Sequence, residues 1–417
     1  MRVESLSLQN FRGIAQMGLH FAPGVNALVG INGAGKSAVL DALAAAIYRK
    51  QLDFLEGRFE PEAWVPKREV WYAQDSIKGN DVRIGQPKAV IELKASNENN
   101  HAGWEFVAQQ QVLLAPPEES MVKMLRPLAL QIPCPAAVYY SVQRAVRATA
   151  LEDSQSEQAI MLQVFDGAMQ SSANFSQFFS WFRAREDAEN ELIRDDPAWR
   201  DPAMQAVREA IERFTGFTRL RVRRKPQPYM SLQKQGLEFN VMQLSDGERC
   251  LLALVGDLAR RLAMWREACP DFNGEAVVLI DEIELHLHPA WQRKVLRQLH
   301  QTFPHCQFIV STHSPLVISE LPPQQVFLLK DGEFIGHPAH AFGLDSSEVV
   351  RNVMEVDARN PEVHQELQAI EDALEDGEYD QAGQMIEKMQ AKTGDIPPLL
   401  GARAALASLR AMQEDQT

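Results

Sequence analysis

Gly30-Ile-Asn-Gly-Ala-Gly-Lys-Ser37 matches the pattern G-x-x-x-x-G-K-S, with the strand-like run GVNALVG (24–30) before it and the helical run KSAVLDALAAAIYRK (36–50) after it. Glycines 30, 33 and 35 let backbone N–H groups close around a β-phosphate, and the helix opening at Lys36 adds its positive end. Lys36 is expected to reach the β- and γ-phosphates and Ser37 to ligate Mg2+. Gly30, Asn32, Gly33, Ala34, Gly35 and Ala38 are expected to complete the nucleotide cradle. With both flanking elements correct, a chance glycine loop is a poor alternative.

Two continuous apolar runs point to the same cradle. AVVLIDEIE (276–284) and QFIVST (307–312) read as strands covered on both faces. The first delivers Asp281 and Glu282 to the phosphate end of a parallel sheet. Asp281 can hold Mg2+, largely through water, and Glu282 can activate the attacking water. If the second strand lies beside the first, His313 arrives where a γ-phosphate would sit; a structural His is the alternative. Gln143 ends the strand-like AVYYSVQ (137–143), where it could sense Mg2+ and water; the bland reading is a solvated loop glutamine.

QLSDGERC (243–250) is a second glycine-containing turn that opens a helix. Phosphate loop, Gln143, LSDGE, apolar-Asp-Glu and His313, in that order, resemble the parts of an ABC-class ATPase head. The resemblance implies a head-to-tail dimer in which Ser245 and Gly247 cap the γ-phosphate bound by the partner. Asp246 and Glu248 replace the second Gly and the Gln of the commoner signature, as in the DNA-repair branch of the class.

LQNFRG (8–13) and the 207-residue gap from Ser37 to Leu244 resemble the RecF-, SMC- and OLD-like group rather than transporters. That resemblance makes Arg12 a nucleotide-site candidate. VYYSVQRAV (138–146), FFSWFRAREDAEN (178–190), the run from Asp281 to Pro315, and FGLDSSEVVRNVMEVDAR (342–359) resemble ATP-binding proteins of bacterial defence islands, notably the ATPase subunits of Septu and retron-associated Septu-like systems. The resemblance implies a slow ATP hydrolase with ATP and Mg2+ as ligands, forming a homodimer or higher oligomer. It also implies a held effector, for instance an HNH-type nuclease, with phage DNA or retron nucleic acid as trigger. OLD-like nucleases continue into a Toprim domain; no DxD-bearing sheet pattern follows His313, so no nuclease domain is expected here. The rival readings are a RecF-like repair ATPase and, less favoured, the ATPase of a transporter.

Composition bounds the rest. The 417 residues are 45% hydrophobic and 24% charged, with no apolar run of membrane-spanning length and four scattered cysteines. A reduced, cytoplasmic globular protein is expected. The net charge of −14 sits mostly in the C-terminal segment: from Gly343 onward sixteen acidic residues face six basic ones, a net −10, leaving −4 for the body. The expected fold is α/β: an ABC-ATPase head with a mixed sheet and an antiparallel N-terminal lobe. Its parts are 1–150 and 218–343, split by a helical insertion at 151–217 and followed by an acidic helical appendage at 344–417.

Four features carry weaker readings. Glu284, His286 and His288 invite a zinc site, but no further ligand set completes one, and the family places a dimer-seam loop there. Arg219, Arg221 and Arg223 alternate along one strand, either as a phosphate-contacting stripe or paired with carboxylates. WFRAREDAEN (181–190) reads as a helix packed by its aromatics. Apolar faces at Leu367, Ile370 and Leu374, and at Met385 and Met389, suggest that the tail holds a protein.

Overall fold

Strand β1 (Arg2–Phe11) turns its Val3, Leu6, Leu8 and Phe11 inward and pairs antiparallel with β2 (Ile14–His20). The computed structural model describes residues 1–58, 79–97, 100–109, 136–142, 168, 175–225, 227–269, 272–354 and 360–414. Gln143 lies outside them. β3 (Val25–Val29) is wholly buried and leads through the glycine loop into α1 (Lys36–Arg58). β4 (Lys88–Asn97) and β5 (Asn100–Gln109) complete an antiparallel sheet of order β2-β1-β4-β5, the N-terminal lobe.

The central sheet has the order β13-β12-β3-β11-β10-β6. Its members are β6 (Ala137–Tyr140), β10 (Ala276–Ile280), β11 (Cys306–Thr312), β12 (Val326–Lys330) and β13 (Glu333–Gly336), together with β3. All described pairings in it are parallel except β12–β13. Every residue of β3, β10 and β11 is buried, as in strands covered on both faces. β11 pairs directly with β10 and with β3, so the His313 strand stands between the phosphate-loop strand and the Asp281 strand.

Two helices of the expected insertion pack on the helix that follows the LSDGE turn. In α2 (Phe175–Asp195), Phe178 and Phe182 are fully buried. α3 (Pro202–Thr215) starts at Asp201, whose carboxylate accepts the Ala203 and Met204 N–H groups, and stops at Gly216 in the left-handed region. Between α3 and the helix after the LSDGE turn, α4 (Asp246–Ala268), lies a small antiparallel sheet that the sequence reading found only in its first strand: β7 (Thr218–Arg223), β8 (Tyr229–Lys234) and β9 (Leu237–Asn240). There Arg221 and Arg223 both pair with Glu238, at 3.3 and 2.8 Å, and Arg223's hydrogen bond draws that carboxyl down to about 2. Two of the stripe's three arginines are thus matched by a carboxylate.

The chain divides into two compact units, Met1–Val349 and Val350–Thr417. In the second, α5 (Pro361–Glu375), α6 (Tyr379–Thr393) and α7 (Pro397–Glu414) enclose a core of their own, including Leu367, Ile370, Leu374, Ile386, Met389 and Leu406. The apolar faces noted in the sequence are therefore spent largely inside the tail, and its exposed charged side chains are mostly acidic. No described helix is long and apolar enough to cross a membrane.

Candidate functional site

At the carboxyl end of the central sheet a cavity of about 500 Å³ is lined by Asn32, Gly33, Gly35, Lys36, Ser37, Ala38, Asp281, Glu282 and His313. Residues from three neighbouring strands' ends and one helix N-terminus converge there because β3, β11 and β10 are adjacent and parallel. Gly13, Ile14, Asp331 and Gly332 also line it, and sequence reasoning missed all four. The signal was present for two of them: Asp331-Gly332 joins β12 to β13, and both residues have positive φ, 51° and 80°. An Asp-Gly pair of this kind marks a tight hairpin.

The loop's shape is dictated by close approach. A Cβ on Gly30 would stand 2.2 Å from the Leu329 carbonyl oxygen, so β12 leaves no room for a side chain. Gly33 and Gly35 hold φ values of 85° and 102°, which other residues rarely adopt. Lys36 is buried, and its Nζ donates to the carbonyls of Gly30 and Ile31 at 2.9 and 3.0 Å. Burial pulls the Lys36 pKa below its ordinary value, while Asp281, Glu282 and Glu284 oppose that shift.

The acidic pair is anchored by a neighbour. Ser311 on β11 donates its hydroxyl to Asp281 and accepts the Glu282 N–H at 2.7 Å. Glu282 itself sits in the left-handed region at φ 46°, an arrangement that costs a non-glycine residue about 1–2 kcal/mol. His313 is half-buried; burial first, then the Lys36 ammonium, holds its imidazole below the usual pKa.

Arg12 does not line the cavity. Its guanidinium donates to Asp81 at 2.8 Å and to Asp41 at 2.5 Å, and Asp41 also accepts from Tyr139 at 2.9 Å. Ser245 and Gly247 do not line it either. Ser245 caps α4 through a reciprocal box with Glu248, whose other oxygen takes the Lys234 ammonium at 2.6 Å. Gly247 lies against the 286 turn: a Cβ there would stand 2.6 Å from the His286 carbonyl oxygen. The zinc reading finds two of its three residues otherwise engaged. Glu284 accepts the His313 N–H, and His288 Nδ1 accepts from Ala290 to cap a short helix.

The loop fits a nucleotide triphosphate, since its glycines leave a backbone-lined cradle around the Lys36 ammonium. The Ser37 and Asp281 oxygens suit a hard divalent cation.

The chain is similar to several known proteins. Residues 175–319 match a family described as "AAA domain, putative AbiEii toxin, Type IV TA system", and residues 5–180 match one described as "AAA domain". The Retron Ec83 probable ATPase of Escherichia coli is 28% identical, covering 87% of this chain and 78% of its own length. The Retron Vc95 probable ATPase of Vibrio cholerae serotype O1 biovar El Tor is 25% identical, over 88% and 81% respectively. The Septu protein PtuA of Bacillus mycoides is 40% identical over 91 residues, 22% of this chain and 12% of that protein. Among solved structures, the SMC head domain from Thermotoga maritima overlays 79% of this chain and 95% of its own at 16% identity, with a TM-score of 0.41. The chain is an ABC-class P-loop ATPase related to the retron probable ATPases and to the Septu PtuA proteins.

Proposed function

We propose that this ATPase is the nucleotide-switched regulatory subunit of an anti-phage defence system, holding an effector such as a nuclease and releasing it when invading nucleic acid is sensed. The observation that carries the catalytic half is the convergence of Lys36, Ser37, Asp281, Glu282 and His313 on one cavity. The similarity to retron and Septu proteins supports the defence half.

In this reading the glycine-loop N–H groups and the start of α1 bind the phosphates, with Lys36 already turned over the loop. Ser37 and Asp281 hold Mg2+, which supplies charge neutralisation at the phosphates. Glu282 orients and deprotonates the attacking water, and His313 holds the γ-phosphate end. Ser245 and Gly247 act on the partner's nucleotide in a head-to-tail homodimer. Closure and reopening of that dimer is the switch. The acidic appendage, 344–417, holds protein rather than nucleic acid, since its net negative charge disfavours phosphate contact.

Glu282→Gln keeps the phosphate cradle and removes the water-activating carboxylate. It should retain ATP while losing about 10²–10⁴-fold in hydrolysis. Expressed with its neighbouring genes, the variant should also lose protection in a phage plaque assay. Full turnover in Glu282→Gln would overturn the catalytic reading; lost turnover with unchanged protection would overturn the switch.

A further inference from the structure

A third carboxylate lies near the cavity's cations without lining the cavity. Besides Asp281 and Glu282, Glu284 acts electrostatically on both Lys36 and His313. Its Oε1 accepts the backbone N–H of His313 across 29 residues of sequence. Its Oε2 is buried, and no described protein group donates to it. Among the described residues, the carboxylate's recorded hydrogen-bond donor is thus His313.

Folding alone gives little reason for this arrangement. The turn after β10 is already tied to β11 twice, by Glu282 N–H to Ser311 Oγ at 2.7 Å and Ile283 N–H to Ser311 O at 3.1 Å. A carboxylate with one oxygen buried and unmatched is a costly third tie, and an apolar side chain would pack at lower cost. The turn nevertheless spends unfavourable backbone on either side of it, with φ 46° at Glu282 and 65° at His286. Such outliers gather where a site needs a fixed geometry. What the third tie adds is control of the Thr312–His313 peptide, just past the end of β11. The next peptide is fixed separately, by Ser314 N–H to Thr312 Oγ1 at 3.0 Å.

We propose that Glu284 is a positioning residue of the hydrolytic site, holding His313 by its backbone N–H so that the imidazole faces the γ-phosphate end of the cavity. The inference rests on the proposed function and extends it to a side chain that does not line the cavity. The carboxylate acts through its acceptor oxygen, so an amide oxygen at the same place serves nearly as well.

The test is steady-state ATP hydrolysis by the full chain. Glu284→Ala should lower kcat about ten- to a hundred-fold, the scale of a small misplacement at a reacting centre, and leave the KM for ATP within about three-fold. Glu284→Gln should recover most of kcat. In a His313→Ala background, Glu284→Ala should cost nothing further. If Glu284→Ala does not fold, Glu284→Met, which keeps the apolar body and removes the acceptor, takes its place. Wild-type kcat in the Ala or Met variant, no recovery in Gln, or an undiminished further loss in the His313→Ala background each overturns the inference. A wild-type chain without hydrolysis overturns the proposed function and this inference together. Hydrolysis abolished by Glu282→Gln yet untouched in the Glu284 variants overturns this inference alone.

Discussion

Ser311 donates its hydroxyl to the carboxylate of Asp281, joining β11 to β10 at the point where the two strands deliver their functional ends. The same oxygen accepts the Glu282 N–H. One buried hydroxyl therefore orients a metal-binding candidate and fixes the peptide of the proposed general base. Ser311→Ala leaves a buried carboxylate and a backbone N–H without this partner, at a cost of about 1–3 kcal/mol. Denaturant unfolding should show that loss, and ATP hydrolysis should fall at least ten-fold with nucleotide still bound. A variant with both stability and turnover intact contradicts the assigned role.

His313 carries a pH dependence with a definite sign. Burial and the Lys36 ammonium lower its pKa in the folded chain, against opposition from Glu284, Glu282 and Asp281. The unfolded imidazole takes up its proton near 6.5, before the folded one does. Its contribution to stability is therefore whole above about 6.5 and declines as pH falls through that value toward the folded pKa. An NMR titration of the imidazole should give a midpoint below 6.5, rising in Lys36→Met. A wild-type midpoint at or above 6.5 contradicts this account.

Asp257 on α4 has no exposed surface, and it accepts from Arg260 at 2.7 Å, Arg261 at 2.9 Å and the Tyr140 hydroxyl at 2.9 Å. Burial pushes its pKa upward, but the two guanidinium groups outweigh that and hold it below the ordinary value. Asp257→Ala removes the carboxylate that two buried cations share, and breaking such a cluster costs about 3–5 kcal/mol. A denaturant midpoint shifted by less than 1 kcal/mol in equivalent stability, roughly the worth of one ordinary hydrogen bond, contradicts it.

What could be read from sequence followed local rules. The glycine loop announces its strand and helix, and the unbroken apolar runs at 276–280 and 307–312 announce strands covered on both faces. Long-range contacts left no such mark: Ser311 meets Asp281 across 30 residues and Glu284 meets His313 across 29, and neither spacing has a local signature. The tail shows the limit of periodicity most plainly. Leu367, Ile370 and Met389 form faces that had to be buried, but periodicity does not say against what, and they close on one another. Arg221 and Arg223 looked equally suited to phosphate and to carboxylate until β9, unread in the sequence, brought Glu238 alongside.

The central claim is a composite site shared by two copies of the chain, and mixed dimers test it most directly. Ser245→Arg disables the turn that one protomer lends, and Lys36→Ala disables the cradle in the other. Acting in trans, the two defects can fall on the same site and leave the second site whole. Verified heterodimers should then regain part of the hydrolysis, up to about half the wild-type rate by counting intact sites, while each variant alone stays inactive. Heterodimers as inactive as either parent contradict the account, because they place each LSDGE turn in the service of its own nucleotide.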